Sequence, residues 1–147
     1  MNAIEVRGLS KSYGTVRAVD DLTFEVPAGK VTGFLGPNGA GKTTTLKMIV
    51  GLVRPDAGDA VVLDTAYAEH ADPLRVVGSL LDTEQFHPKR SGRNHLRAIA
   101  AAAGISDDRV DEVLERVGLT DAAKRRVGGY SLGMRQRLGL ASALLGD

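Results

Sequence analysis

The stretch Gly36-Pro37-Asn38-Gly39-Ala40-Gly41-Lys42-Thr43-Thr44 constrains this chain more than any other part of it. It fits the spacing GxxxxGK(S/T) and lies between a brief apolar run, Val31 to Leu35, and a segment of helical periodicity. Strand, tight loop and helix are therefore predicted in that order. Glycines at fixed positions admit dihedrals closed to other residues, which turns successive backbone N–H groups inward on an anion. The following helix adds the unpaired amides of its first turn and the positive end of its dipole. The loop is read as a phosphate cradle, with Lys42 bridging β- and γ-phosphates, Thr43 offering its hydroxyl to Mg²⁺, and Thr44 bonding near the α-phosphate. A chance match at this composition arises on the order of once in a hundred chains, so a plain glycine turn capping a helix is the weaker explanation. A protein-kinase loop follows another pattern, and no His-Arg-Asp segment accompanies this one.

Around the cradle, apolar spacing gives a coarse map. Ile4 and Val6, then Leu22, Phe24 and Val26, alternate with polar neighbours and predict short antiparallel strands, with turn chemistry at Asp20-Asp21 and over Pro27 to Lys30. Val31 to Leu35 reads as a strand buried on both faces of a parallel sheet. Leu46, Ile49, Val50 and Val53 stand at i, i+3, i+4 and i+7 and predict one helical stripe, interrupted by Gly51 and Pro55. Ala60 to Leu63 and Val76 to Leu81 read as two further strands. From Ser91 the period becomes helical: Leu96, Ile99, Ala100 and Ala103 share one face, Val110, Val113, Leu114 and Val117 another, with Gly104 and Gly118 after each. Gly128 to Ser131 breaks the pattern, and Leu132 to Leu145 reads as one more helix.

Composition narrows the function. The 147 residues carry 19 basic and 18 acidic side chains, a net charge of +1, too balanced for a protein whose affinity comes from neutralising many nucleic-acid phosphates. Cysteine is absent, which removes disulfides, thiolate metal sites and cysteine nucleophiles and suits a reducing compartment. No run reaches the roughly 18 apolar residues of a membrane span, and Glu5 and Arg7 stand where a signal peptide would be apolar. A membrane role would be borrowed from a partner subunit.

Four features together resemble the nucleotide-binding subunit of ATP-binding cassette transporters: Tyr13 ahead of the cradle, Gly36 to Thr44, the segment around Asp82, and Tyr130-Ser131-Leu132-Gly133-Met134-Arg135-Gln136-Arg137. The resemblance implies an α/β fold, a P-loop NTPase with a mixed sheet, an antiparallel β lobe at the amino terminus and an inserted helical subdomain, incomplete at the carboxyl terminus. The parts would be a β lobe and P-loop core over 1–88, a helical subdomain over 89–127, and a signature loop and helix over 128–147. It implies ATP and Mg²⁺ as ligands, with Tyr13 stacking on adenine beside the cradle residues Gly36, Pro37, Asn38, Gly39, Ala40, Gly41, Lys42, Thr43 and Thr44. The segment from Tyr130 is similar to the signature Leu-Ser-Gly-Gly-Gln, retaining Ser131 and Gly133 and departing at Tyr130, Leu132 and Met134. In the family this loop closes on the γ-phosphate held by the opposite subunit, so Lys42, Ser131 and Gly133 are the implied catalytic set of a head-to-tail dimer. An N-cap role for Ser131 is compatible with that one. Similar departures occur in bacterial drug and peptide export ATPases of the ABC-2 type.

Aligned on the strand leading to the family's Q-loop, Asp82 takes the place of a glutamine that touches Mg²⁺ and water; a solvated loop aspartate is the equal alternative. The segment from Glu84 to Arg93 would face transmembrane permease subunits, placing the chain in the cytoplasm on the inner membrane face. A Walker B strand, its catalytic Glu and a later His are not found after the signature, and Ala60 to Asp64, which fits the apolar pattern, comes too early. The expectation is an amino-terminal piece of an ATPase that binds ATP without completing hydrolysis. Two rivals are a noncatalytic nucleotide-binding or dimer-interaction module, and a soluble cassette ATPase in translation or repair.

Overall fold

A computed structural model describes residues 1–81 and 86–146. The chain divides into two compact units, Met1–Pro73 and Leu74–Asp147.

The first unit is built on strands β1 (Asn2–Tyr13), β2 (Val16–Pro27) and β3 (Ala57–Val62), in the antiparallel order β2-β1-β3, with helix α1 (Lys42–Ile49) beside them. Val6, Leu9, Val19 and Val62 from the strands, Met48 and Ile49 from α1 and Val50 just after it form its buried apolar set. The turn between β1 and β2 falls at Gly14-Thr15, with Tyr13 paired to Val16, and not at Asp20-Asp21. Asp21 does adopt a turn-like φ of 47°, but inside β2, where Leu9 pairs Leu22 and Lys11 pairs Val19. One extra residue is thereby fitted into β2, and the Asp21 N–H donates to Ser10 Oγ at 2.9 Å. Asp-Asp turn chemistry serves a bulge here, which re-aims the end of the hairpin. β3 is antiparallel to β1, so the strand expected over Ala60 to Leu63 is present, but it starts at Ala57 and stops at Val62, and it returns through a tight turn with Leu63 and Asp64 both at positive φ.

Two predicted strands are not in any ladder among the described residues, and the sheet there is antiparallel rather than mixed. Val31 to Leu35 has no strand pairing; Val31 and Leu35 are exposed, while Phe34 stacks on Phe24 of β2 with centroids 5.2 Å apart. Apolar composition fits such a run for burial, but a parallel strand also needs neighbours for its N–H and C=O groups, and none of the described strands supplies them. Val76 to Leu81 begins at the end of the short helix α2 (Pro73–Val76) and continues without a ladder. Its residues instead meet helix α5 (Leu132–Leu144): Gly78 lies against the Ala143 carbonyl and Leu80 against Gly139. The stripe predicted over 46 to 53 also stops early, since α1 ends at Ile49, where Gly51 turns the chain at φ 71°.

The second unit packs α3 (Gly92–Ala102), α4 (Asp107–Arg116) and α5 around Leu96, Ala100, Val110, Val113, Leu114, Tyr130, Leu138 and Leu145. Its boundaries follow the sequence closely. Ser91 and Ser106 cap α3 and α4, accepting from Asn94 and Arg109 N–H, and both helices end in a glycine at positive φ, Gly104 and Gly118. Ile105 and Leu119 then donate back to Ala100 and Leu114 carbonyls, closing each helix end. Arg93 of α3 grips Asp111 of α4 at 2.7 and 3.0 Å, which holds the Asp111 carboxyl below its ordinary range, and the Arg109 guanidinium donates to the Leu144 carbonyl at the end of α5.

His95 of α3 stands edge-on to Phe86, 4.8 Å between centroids, and burial, then the nearby Arg90 charge, lowers its pKa from 6.5. The folded state favours neutral imidazole. The resulting stability is complete above pH 6.5 and is lost as pH falls through the lower folded-state value, because the unfolded chain takes up the proton first. In pH-resolved urea melts, the wild-type midpoint is expected to drop as acid is added below pH 6.5, and His95→Phe to flatten that part of the curve. Superimposable profiles would exclude His95 as the source.

Candidate nucleotide-binding cleft

The cradle sits at the end of the β hairpin. Tyr13, Val16, Arg17 and Ala18 of the hairpin and Asn38, Gly39, Gly41, Lys42, Thr43 and Thr44 line one open cleft of about 380 Å³. Gly41 is the N-cap of α1 with φ 87°, and no side chain caps the helix, so its first-turn amides keep their donors for a ligand. Gly41 also lies so close to the Ala18 carbonyl of β2 that a Cβ there would overlap it, with Val19 Cγ2 at 3.0 Å. Loop and hairpin are thus fitted together through a residue without a side chain. Gly39 has φ 82° but open space around it.

The Lys42 ammonium donates to the carbonyls of Gly36 and Pro37 at 2.6 and 2.7 Å, tying the first residues of the loop to the start of α1. Three N–H donors leave one more for an anion, and exchange of carbonyls for anionic oxygens would strengthen each bond. Thr45 is buried and its hydroxyl donates to Gly41 O at 2.9 Å, so it belongs to the helix. Thr43 is exposed and Thr44 half-buried, both on the cleft wall. Gly36, Pro37 and Ala40 shape the turn behind them, with Ala40 N–H on Pro37 O.

Tyr13 is 51% exposed, and the Lys11 ammonium stands 5.5 Å over its ring. Lys11 is held by Asp56 at 2.9 Å, and the Asp56 carboxyl is kept below its usual range first by that bond and then by the Ser12 N–H. One ring face is therefore held by a fixed cation. Arg17, paired with Asp20 at 3.1 Å, adds positive charge to the cleft wall.

Ser131 and Gly133 belong to the second unit. Ser131 is the N-cap of α5, its Oγ accepting from the Met134 N–H at 3.2 Å; it is exposed, as are Leu132 and Gly133. A Cβ on Gly133 would meet nothing within 4 Å. Asp82 lies outside the described residues.

Residues 19–147 match the family model of the ABC transporter. The chain belongs to the ABC transporter family. Among ABC relatives, the uncharacterized ABC transporter ATP-binding protein YhcH of Bacillus subtilis is 41% identical over 146 residues, 98% of this chain and 48% of the relative. The bacitracin transport ATP-binding protein BcrA of Bacillus licheniformis is 42% identical, over 97% of this chain and 47% of its own length. The structure of an ATP binding subunit of an ABC transporter superposes with a TM-score of 0.81 at 30% identity, covering 97% of this chain and 62% of that one. The chain spans about half the length of the curated relatives it matches.

For this ABC chain the sequence reading missed Val16, Arg17 and Ala18 on the cleft wall. The available signal was Gly14-Thr15, a two-residue turn that sets Val16 opposite Tyr13. No helix of the described residues is long and apolar enough to cross a membrane, and no cluster of three or more His, Cys, Asp or Glu among them would hold a metal ion.

Proposed function

We propose that this chain is the ATP-binding part of an export transporter, taking ATP in the cleft of its first unit. The observation that carries the reading is the convergence, in one cleft, of an aromatic side chain from the hairpin and the open amides of the glycine loop. The first-turn amides of α1 and Lys42 would hold the β- and γ-phosphates, Thr44 the α-phosphate region, and the free face of Tyr13 the adenine ring.

Mg²⁺ fits the donors present. With no acidic cluster among the described residues, a metal would be held chiefly by phosphate oxygens, water and one hard protein oxygen, the arrangement Mg²⁺ prefers. Thr43 presents that oxygen on the exposed cleft wall, whereas Thr45 is buried beneath it in the helix. When bound, the ion would neutralise charge between the terminal phosphates. Asp82 is assigned to the same metal from sequence only.

In this reading Ser131 and Gly133, a hydroxyl and an unhindered backbone at the start of α5, meet the γ-phosphate held by a second copy in a head-to-tail homodimer. Transmembrane permease subunits would then hold the pair on the inner membrane face, the role that relatives named for bacitracin transport and doxorubicin resistance suggest. Nucleic acid is not a partner in this reading.

Calorimetric titration of the folded chain with ATP, with and without Mg²⁺, tests the cleft. Uptake strengthened by Mg²⁺ is expected, and Tyr13→Ala should weaken it by about 1–3 kcal/mol, the range of base–aromatic stacking. A folded chain that takes up no ATP would end the proposal.

A further inference from the structure

We propose that Tyr130 is a positioning residue, a strut that sets where Ser131 presents its hydroxyl; the functional half of this inference rests on the role proposed for Ser131. Tyr130 is 4% exposed, inside the core of the second unit. Its hydroxyl donates to the Ala122 carbonyl at 2.6 Å, and its N–H to the Val127 carbonyl at 3.0 Å. Gly92, the first residue of α3, leaves the room: a Cβ there would overlap the Tyr130 oxygen and stand 3.1 Å from Cζ. Gly92 is itself fixed by its N–H on the Arg125 carbonyl at 3.2 Å.

The next residue, Ser131, is exposed yet caps α5 through Met134 N–H, while its own carbonyl accepts from Arg135 N–H at 3.0 Å. Farther along α5, Arg137 Nη1 donates to the carbonyls of Val117 and Gly118 at 3.4 and 3.3 Å. Both flanks of the exposed Ser131-Leu132-Gly133 are therefore tied to the segment 117–122. A leucine at position 130, the residue usual in the family's signature, is also apolar but has no atom to bond the Ala122 carbonyl. The tyrosine adds direction to burial.

Amide exchange followed by NMR on the full chain tests the strut. In Tyr130→Phe, which keeps the ring and removes one oxygen, the Met134 amide should exchange about tenfold faster, while Val113 and Leu114 amides of α4 stay within about twofold. An unchanged Met134 rate, or an equal rise at all three amides, would overturn the inference, the latter marking general loosening. Gly92→Ala should speed Met134 exchange as well, and adding Tyr130→Phe to it should restore part of the loss by removing the oxygen the new methyl meets. Should Gly92→Ala fail to fold, Tyr130→Phe alone decides.

For function, ATP uptake by the cleft should be the same in Tyr130→Phe as in wild type, while ATP-dependent self-association measured by sedimentation weakens about tenfold. A loosened Met134 with unaltered self-association would overturn the functional half. Absence of ATP uptake in wild type would instead refute the cleft proposal and leave the amide comparison to decide the strut.

Discussion

Alanine at position 41 is expected to detach the glycine loop from the hairpin and abolish ATP uptake. Two costs coincide there. The backbone is left-handed at φ 87°, which disfavours any side chain by about 1–2 kcal/mol. The added methyl would also overlap the Ala18 carbonyl, a backbone atom inside β2 that cannot swing aside as a side-chain tip would. A loss of about 3 kcal/mol or more in denaturant unfolding of the first unit follows, at the severe end for single substitutions. Gly39→Ala is the matched control: φ is 82° but nothing lies within 4 Å, so it should carry the conformational cost alone. Equal stability of the two variants would show that the approach to Ala18 does not hold the loop.

Lys42→Ala should lower ATP affinity by about 3 kcal/mol or more, on the order of a hundredfold, since charge-assisted hydrogen bonds contribute about 1.5–3 kcal/mol each. Fold stability should fall far less, about 1 kcal/mol, because the two carbonyls that Lys42 bonds are exposed and water replaces the ammonium there. The separation of the two effects is the test. Calorimetry gives the first and urea unfolding the second, and a stability loss as large as the affinity loss would make Lys42 a structural tie.

Helix boundaries in the second unit were legible in the sequence because their causes are local. Ser91 and Ser106 accept from amides three residues on, and Gly104 and Gly118 supply the positive φ that ends each helix. Strands depend on partners distant in sequence, which apolar pattern alone does not name. Val31 to Leu35 has the composition of a buried strand, yet among the described residues it has no ladder, and its Phe34 packs on Phe24. Asp20-Asp21 has real turn preference, realised as a bulge because Gly14-Thr15 already reverses the chain.

Within the cleft, residue types and spacing from Gly36 to Thr44 were enough to propose phosphate chemistry, since glycine dihedrals, helix-end amides and a lysine act over a few residues. Family resemblance added Tyr13 as a candidate in the cleft, and Ser131 and Gly133 as candidates in the second unit. By itself the sequence determined the glycine loop, the helix that follows it and the caps of the helical unit, all products of short-range sterics and hydrogen bonding. Only the tertiary structure decided that Val16 to Ala18 share the cleft with Lys42, that Gly41 seats against Ala18, and that Tyr130 reaches Ala122, because each depends on a bulge, a register or a close approach set by packing between segments.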